Sequence, residues 1–208
     1  MASQLIHITL PDGTRKQVPT GCTVRDALTP QGGRLDGKIL AAKIDGVPMD
    51  LFHTLEHDAT VEPLTFESAE GREVYRHSST HIMAQAVKEV FPTAQLTIGP
   101  ALEDGFYYDF AFDRPFTPED LEKIEARAIE ITKRGLSVSR SELSKEEAIK
   151  FFQDRGEAYK VELINSFEDG SPISLYRQGE FVDLCRGPHL PSTGYVGAFK
   201  LLSTGGAY

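Results

Sequence analysis

The sequence predicts an α+β fold in two domains, a small β-rich one over residues 1–63 and a larger α+β one over 64–208, and three observations carry this. Short alternating apolar segments separated by turn signals fill the first stretch. Longer segments of helical periodicity, several with explicit caps, dominate the second. At 208 residues and 40% hydrophobic content the chain has material for two modest cores.

In the first domain, Leu5 to Leu10 alternates as a strand, Pro11-Asp12-Gly13 is a turn, and Arg15 to Val18 returns antiparallel. Thr23 caps a short helix, VRDAL, whose Val24, Ala27 and Leu28 fall at helical spacing. Further strands are expected at Ile39 to Ile44 and Ala59 to Leu64, with Asp45-Gly46 as a turn. A hairpin, a helix and then further strands make a β-grasp, in which the helix covers one face of a mixed sheet.

In the second domain a helix is expected from about Val74 to Phe91, stopped by Pro92. On a wheel, Met83, Ala86, Val87 and Val90 share one side, and His77, His81, Ala84 and Lys88 lie nearly opposite, off the expected core stripe. Thr117 as N-cap, Pro118 at the first helical position, Asp120 closing a capping box and Gly135 past the end delimit the next helix, with Leu121, Ile124, Ala128 and Ile131 as its stripe. Ser144 caps a third, ended by Gly156. Glu157 to Ile164 reads as a strand, Tyr159, Val161 and Leu163 alternating with Lys160 and Glu162. In Phe181 to Cys185 the same alternation puts Asp183 and Cys185 on one face, and Gly187-Pro188 turns the chain to present His189.

A formal charge of -9 and a pI near 5.2 argue against a protein that holds nucleic acid by bulk positive charge, so any RNA contact is local. Two cysteines far apart do not make a disulfide framework and point to a reducing, cytosolic setting. The opening MASQLIHITLPDG lacks the basic and apolar regions of a signal peptide, and no stretch approaches the roughly 20 apolar residues of a membrane span.

The chemistry concentrates in HSSTH and, about a hundred residues on, DLCRGPH. His77 and His81 at i and i+4 point the same way from a helix. Three chemistries suit them together with Cys185 and His189. Two imidazoles, a thiolate and a third imidazole match a tetrahedral zinc site in number and type. Cys185 and His189 could form a nucleophilic pair. A metal-free hydrolytic pocket could use imidazoles to manage protons and Lys160 to stabilise negative charge. HSSTH lacks the glutamate of H-E-x-x-H, which argues against a zinc peptidase. His7, His53 and His57 show no such pattern.

The strings HSSTHIMAQAVKEVFP, IGPALEDGFYYDF, RGEAYKVELI, FVDLCRGPHLPSTG and FKLLSTGGAY, in this order, resemble the N-terminal region of bacterial threonyl-tRNA synthetases, over essentially the whole chain. The resemblance implies a TGS domain, ubiquitin-like, over residues 1–63 and an editing domain over 64–208, with the class II catalytic domain and its ATP and threonine sites lying beyond GGAY. It implies a cytoplasmic ester hydrolase that removes serine wrongly attached to the threonine tRNA by attack of water. Its partner is the serylated 3′ end of that tRNA, with no membrane or DNA. The fragment is expected to be a monomer, full-length relatives being homodimers through the absent domains.

Carried over residue by residue, the site comprises His77, His81, Lys160, Asp183, Cys185 and His189, with Tyr108 as a pocket wall. Asp183 is expected to hold the substrate ammonium and His77 to contact the terminal ribose hydroxyl. Lys160 and His189 would position water or stabilise the oxyanion, and His81 and Cys185 would shape the pocket. The related alanyl editing domain uses the same helix-pair-plus-CxxxH scheme to bind zinc. No cofactor is expected here, with zinc on His77, His81, Cys185 and His189 as the alternative. A non-catalytic module that positions tRNA is the other alternative.

Overall fold

The computed structural model describes residues 4–205 apart from Asp169 and Ser171, and it is α+β. The chain forms two compact units, Met1–Tyr75 with Gly187–Pro191, and Arg76–Arg186 with Ser192–Tyr208.

The first unit is a five-stranded sheet in the order Arg15–Pro19, Leu5–Thr9, Ala59–Thr65, Ile39–Ile44, Val47–Met49. Leu5–Thr9 runs parallel to Ala59–Thr65 and the other pairs are antiparallel, so the sheet is mixed, as a β-grasp requires. Asp45 and Gly46 both adopt positive φ, 50° and 85°, which is the two-residue hairpin turn whose twist matches the flanking strands. Helix α1 (Val24–Leu28) starts at Thr23, whose hydroxyl accepts from the Asp26 N–H while the Asp26 carboxylate accepts from the Thr23 backbone. It buries Val24, Ala27 and Leu28 against Ile6, Ile8, Leu51 and Val61.

The second unit sets helices against an antiparallel sheet of Val138–Leu143, Ile173–Gln178 and Phe181–Leu184. Helix α3 (Pro118–Arg134) has the expected capping box and ends at Gly135 in the left-handed region, φ 59°. Its inward stripe is Ile124, Ala128 and Ile131. The Arg114 guanidinium beside Asp120 holds that capping carboxyl well below its usual range, so it is charged at every physiological pH. Thr117→Ala is expected to cost about 1 kcal/mol. That is a fall of about 2 to 4 °C in Tm for a protein of this size, checked by calorimetry; an unchanged Tm would show that Arg114 alone fixes this helix start.

Helices α4 (Lys145–Gln153) and α5 (Ala158–Asn165) pack Ala148, Phe152 and Ile164 onto Ile173, Leu175 and Val182 of the sheet. The α5 segment corrects the strand expected at Glu157 to Ile164. Its buried positions are Glu157, Lys160 and Ile164, a helical period, while Tyr159 is 47% exposed. That period is hidden in the sequence because two inward positions carry charged side chains, leaving the alternation of Tyr159, Val161 and Leu163 as the visible pattern.

Helix α2 (Ala69–Val90) also departs from expectation. His81 and Ala84, which the wheel puts off the core stripe, are buried, and every residue from Ser78 to Val87 is buried. A helical stretch enclosed on all sides has no solvent face, so over residues 78–87 a wheel ranks the sides by polarity but not by exposure.

Candidate active site

The site of the second unit is built on α2, α5, the strand Phe181–Leu184 and the short strands between α2 and α3. A cavity of about 750 Å³ opens among them, lined by His77, His81, Tyr108, Lys160, Asp183 and Cys185. These are six of the seven site residues expected from the sequence.

At its floor lies a buried ion pair. Lys160 sits on the inward face of α5, 3% exposed, with Nζ 2.7 Å from Asp183 Oδ1. The same ammonium donates to the Thr97 carbonyl at 2.9 Å and to the Tyr108 hydroxyl at 3.1 Å, so all three of its protons have acceptors. Asp183, 1% exposed, accepts from the Tyr108 hydroxyl at Oδ2 (2.7 Å) and from the Leu184 N–H at Oδ1 (2.7 Å). Charges this deep persist only when paired and hydrogen-bonded, and this pair is both.

Tyr108 is the bridge between the two charges. Burial, followed by the Asp183 charge and the hydrogen bond to it, pushes its phenol well above the ordinary tyrosine value, so it remains a donor. Its ring stacks on Phe110 at 4.8 Å, and Gly99 packs so closely that a Cβ there would lie 2.2 Å from Tyr108 Cδ2. In the sequence Gly99 is an ordinary Gly-Pro turn signal; only the fold shows that it makes room for the ring. The Thr97 carbonyl is equally invisible there, because any residue supplies one.

Above the ion pair lie the histidines and the thiol. His81 Nε2 is 4.0 Å from Asp183 Oδ2, and its ring meets the His77 ring edge-on at 5.7 Å. Burial is the main force on His81. With the neighbouring His77 and Lys160 it outweighs the attraction of Asp183 and pushes the imidazole down to about 3, so it is neutral at physiological pH. Cys185 follows directly on the strand that carries Asp183. Its backbone N–H donates to the Ser174 carbonyl at 3.2 Å, and its Sγ lies 3.1 Å from His77 Nε2. The donor atoms of His77, His81 and Cys185 all lie within 4.8 Å of one another. His189 is described with the first unit: it is buried on the Gly187–Pro191 segment, and its backbone N–H donates to Asp50 Oδ1 at 2.7 Å.

Comparison with known proteins bears on this arrangement. The family model of the TGS domain matches residues 6–65, and that of the threonyl and alanyl tRNA synthetase second additional domain matches residues 173–206. The threonine–tRNA ligase of Symbiobacterium thermophilum is 55% identical over 206 residues, 99% of this chain and 32% of that protein. Those of Acidithiobacillus ferrooxidans and Hahella chejuensis are 53% and 50% identical over 97% of the chain, again at 31% and 32% of their own lengths. Over nearly its whole length the chain is similar to threonine–tRNA ligases, and its TGS and second-additional-domain matches fall within that similarity.

It spans about a third of the length of these ligases. The second-additional-domain match contains Asp183, Cys185 and His189, whereas His77, His81, Tyr108 and Lys160 lie outside it and join Asp183 and Cys185 in the cavity through the fold. Among the described residues no helix is long and apolar enough to cross a membrane.

Proposed function

We propose that the cavity of the second unit hydrolyses the ester between serine and the 3′ end of the threonine tRNA, by attack of water. The observation that carries this reading is the fixed ammonium of Lys160, held by Asp183 and Tyr108, beside neutral imidazole in a cavity of about 750 Å³, a size that suits an aminoacyl-nucleoside. Serine and threonine differ by one methyl group, worth about 1 to 3 kcal/mol of discrimination in a binding pocket. A second site that excludes the larger side chain by sterics uses that methyl in reverse.

In the reaction, the water oxygen bonds to the ester carbonyl carbon, the carbon–oxygen bond to the ribose breaks, and the proton lost by water passes to the ribose oxygen. Lys160 is the fixed positive charge for the oxyanion that forms between these events. With a value near 3, His81 is too weak a base to take the proton at neutral pH and serves as a neutral hydrogen-bonding wall. His77, more exposed than His81, is the group assigned to the ribose hydroxyl, with His189 assigned to water from the resemblance alone. Asp183 already carries Lys160, Tyr108 and a backbone N–H, so its first duty is to hold the catalytic lysine, and a substrate ammonium shares the carboxylate with them.

The deciding experiment is deacylation of seryl- and threonyl-tRNA by the purified chain. Seryl-tRNA is expected to be hydrolysed faster by about tenfold or more. Equal rates would sink the steric-sieve reading, and no hydrolysis of either ester would favour a module that only positions tRNA.

The clustered donors of His77, His81 and Cys185 support a second reading, a zinc site that His189 would complete by the resemblance. Zinc there would supply a Lewis acid and an activated water. A tetrahedral ion spaces thiolate sulfur and imidazole nitrogen about 3.5 Å apart. Cys185 Sγ and His77 Nε2 lie 3.1 Å apart, within hydrogen-bond distance, and the preference for the metal-free reading comes from the resemblance to the threonyl rather than the alanyl editing domain. Hydrolysis is therefore expected to survive chelator, and one zinc per chain whose removal abolishes activity would reverse the choice.

A further inference from the structure

The helical turn that carries His81 is tied to the sheet by a buried amide. Gln178 ends the strand Ile173–Gln178, and its Nε2 donates both to the His81 carbonyl oxygen at 3.2 Å and to Gln85 Oε1 at 2.8 Å. Gln85 in turn donates through its own Nε2 to Glu89 Oε1 at 2.8 Å. The Glu89 carboxylate is also held by Arg127 at 3.0 Å and Arg134 at 3.1 Å, both from α3.

The direction of this chain is fixed from its outer end. A carboxylate only accepts, so Gln85 must turn its NH₂ toward Glu89 and its oxygen toward Gln178. Gln178 must then present its NH₂, whose second proton falls on the His81 carbonyl. Burial works against the charge of Glu89, yet the hydrogen bonds from Gln85, Arg127 and Arg134 keep its carboxyl below the usual range.

Packing alone does not ask for amides here. Gln85 and Gln178 are 2% and 4% exposed, positions that apolar side chains of similar length would fill. What the amides add is a defined distance between two elements of the site. Gln178 pairs in register with Phe181, and Tyr176 on its strand pairs with Asp183. The ring of Phe181 lies edge-on to His81 at 6.1 Å. One side chain thus sets the helix of His81 against the strand of Asp183, across the 4.0 Å that separates their side chains.

We propose that Gln178 is a positioning residue for His81, with Gln85 and Glu89 as the relay that aims its amide. This rests on the reading of the cavity as an ester-hydrolysing site. Gln178 touches no reacting atom; it acts by holding the His81 imidazole in place.

The test uses the whole chain as wild type, Gln178→Met, Gln85→Met and the double variant. The His81 imidazole is followed by ¹⁵N NMR, assigned through His81→Asn, and kcat and KM are measured on seryl-tRNA. Both single variants are expected to shift the His81 resonances and to lower kcat about tenfold with KM within about twofold, and the double variant to be no worse than either single one. Unmoved His81 resonances in Gln178→Met would overturn the proposal, as would effects that add in the double variant. If Gln178→Met does not fold, Gln85→Met decides the question in the same way, because it removes the acceptor that aims the amide. A wild-type chain without hydrolytic activity defeats the proposed function instead, and the resonances still report whether Gln178 positions His81.

Discussion

Asp183→Ala is expected to abolish hydrolysis and to destabilise the second unit by about 3 to 5 kcal/mol, the usual cost of removing one partner of a buried ion pair. The loss comes less from the missing attraction than from what remains. Lys160, 3% exposed, would be left without its charged partner, with the Thr97 carbonyl and the Tyr108 hydroxyl as its remaining acceptors among the described residues, a buried group that is costly to hold charged or to neutralise. In sequence, Lys160 and Asp183 read as polar residues alternating with apolar ones along strands; in the fold both are buried and in contact at 2.7 Å, which makes them part of the interior.

Urea denaturation checks the size of the effect. The double variant Lys160→Met, Asp183→Leu is the informative control, because it removes both charges and fills the space. It should recover most of the lost stability while remaining inactive. An Asp183→Ala midpoint equal to that of the wild type would mean that water reaches Lys160 and that the pair is not sealed.

The second large effect is on acid stability. His81 titrates near 3 in the folded chain, with burial as the first cause, and near 6.5 when unfolded. Between these values the unfolded state binds a proton that the folded state refuses, so the stability contributed by this group is fully present above about pH 6.5 and is lost as pH falls toward 3. The slope from this one residue is at most about 1.4 kcal/mol per pH unit. Burial sets the shift first; among the neighbours Asp183 opposes it, and His77 and Lys160 add to it.

The measurement is the unfolding free energy of the wild type and of His81→Asn between pH 4 and 7. The wild type should lose stability more steeply, and the difference between the two slopes isolates the imidazole from the carboxylates that titrate in the same range. Parallel curves would show that His81 takes up its proton over the same pH range folded as unfolded, so that it is a charged neighbour of Asp183 below about pH 6.5.

Much of this protein is legible in its sequence. The β-grasp follows from local rules: the alternation of Leu5 to Leu10, the positive-φ turn at Asp45-Gly46, and Thr23 with Asp26 at the head of α1. Helix α3 is delimited at both ends by Thr117, Pro118, Asp120 and Gly135, because capping is chemistry between neighbours in sequence. The histidine pair and the alternation that puts Asp183 and Cys185 on one side are local in the same sense, and all four line one cavity.

Tertiary structure alone decided what depends on partners far along the chain. That Lys160 lies on a helix is hidden because Lys160 and Glu157, just before α5, are charges turned inward, which a periodicity argument counts as exposed until their partners are known. His81 is neutral because the stretch 78–87 of α2 is buried on every side, and no wheel drawn from one segment registers the elements packed around it. Tyr108, Gly99 and Gln178 gain their places from contacts many residues away in sequence, with Asp183 and Lys160, with the Tyr108 ring, and with His81 and Gln85. Local backbone chemistry fixes the elements whose caps and turns are neighbours in sequence, whereas the burial that brings a lysine, a tyrosine and a histidine together in one cavity is a property of the assembled interior.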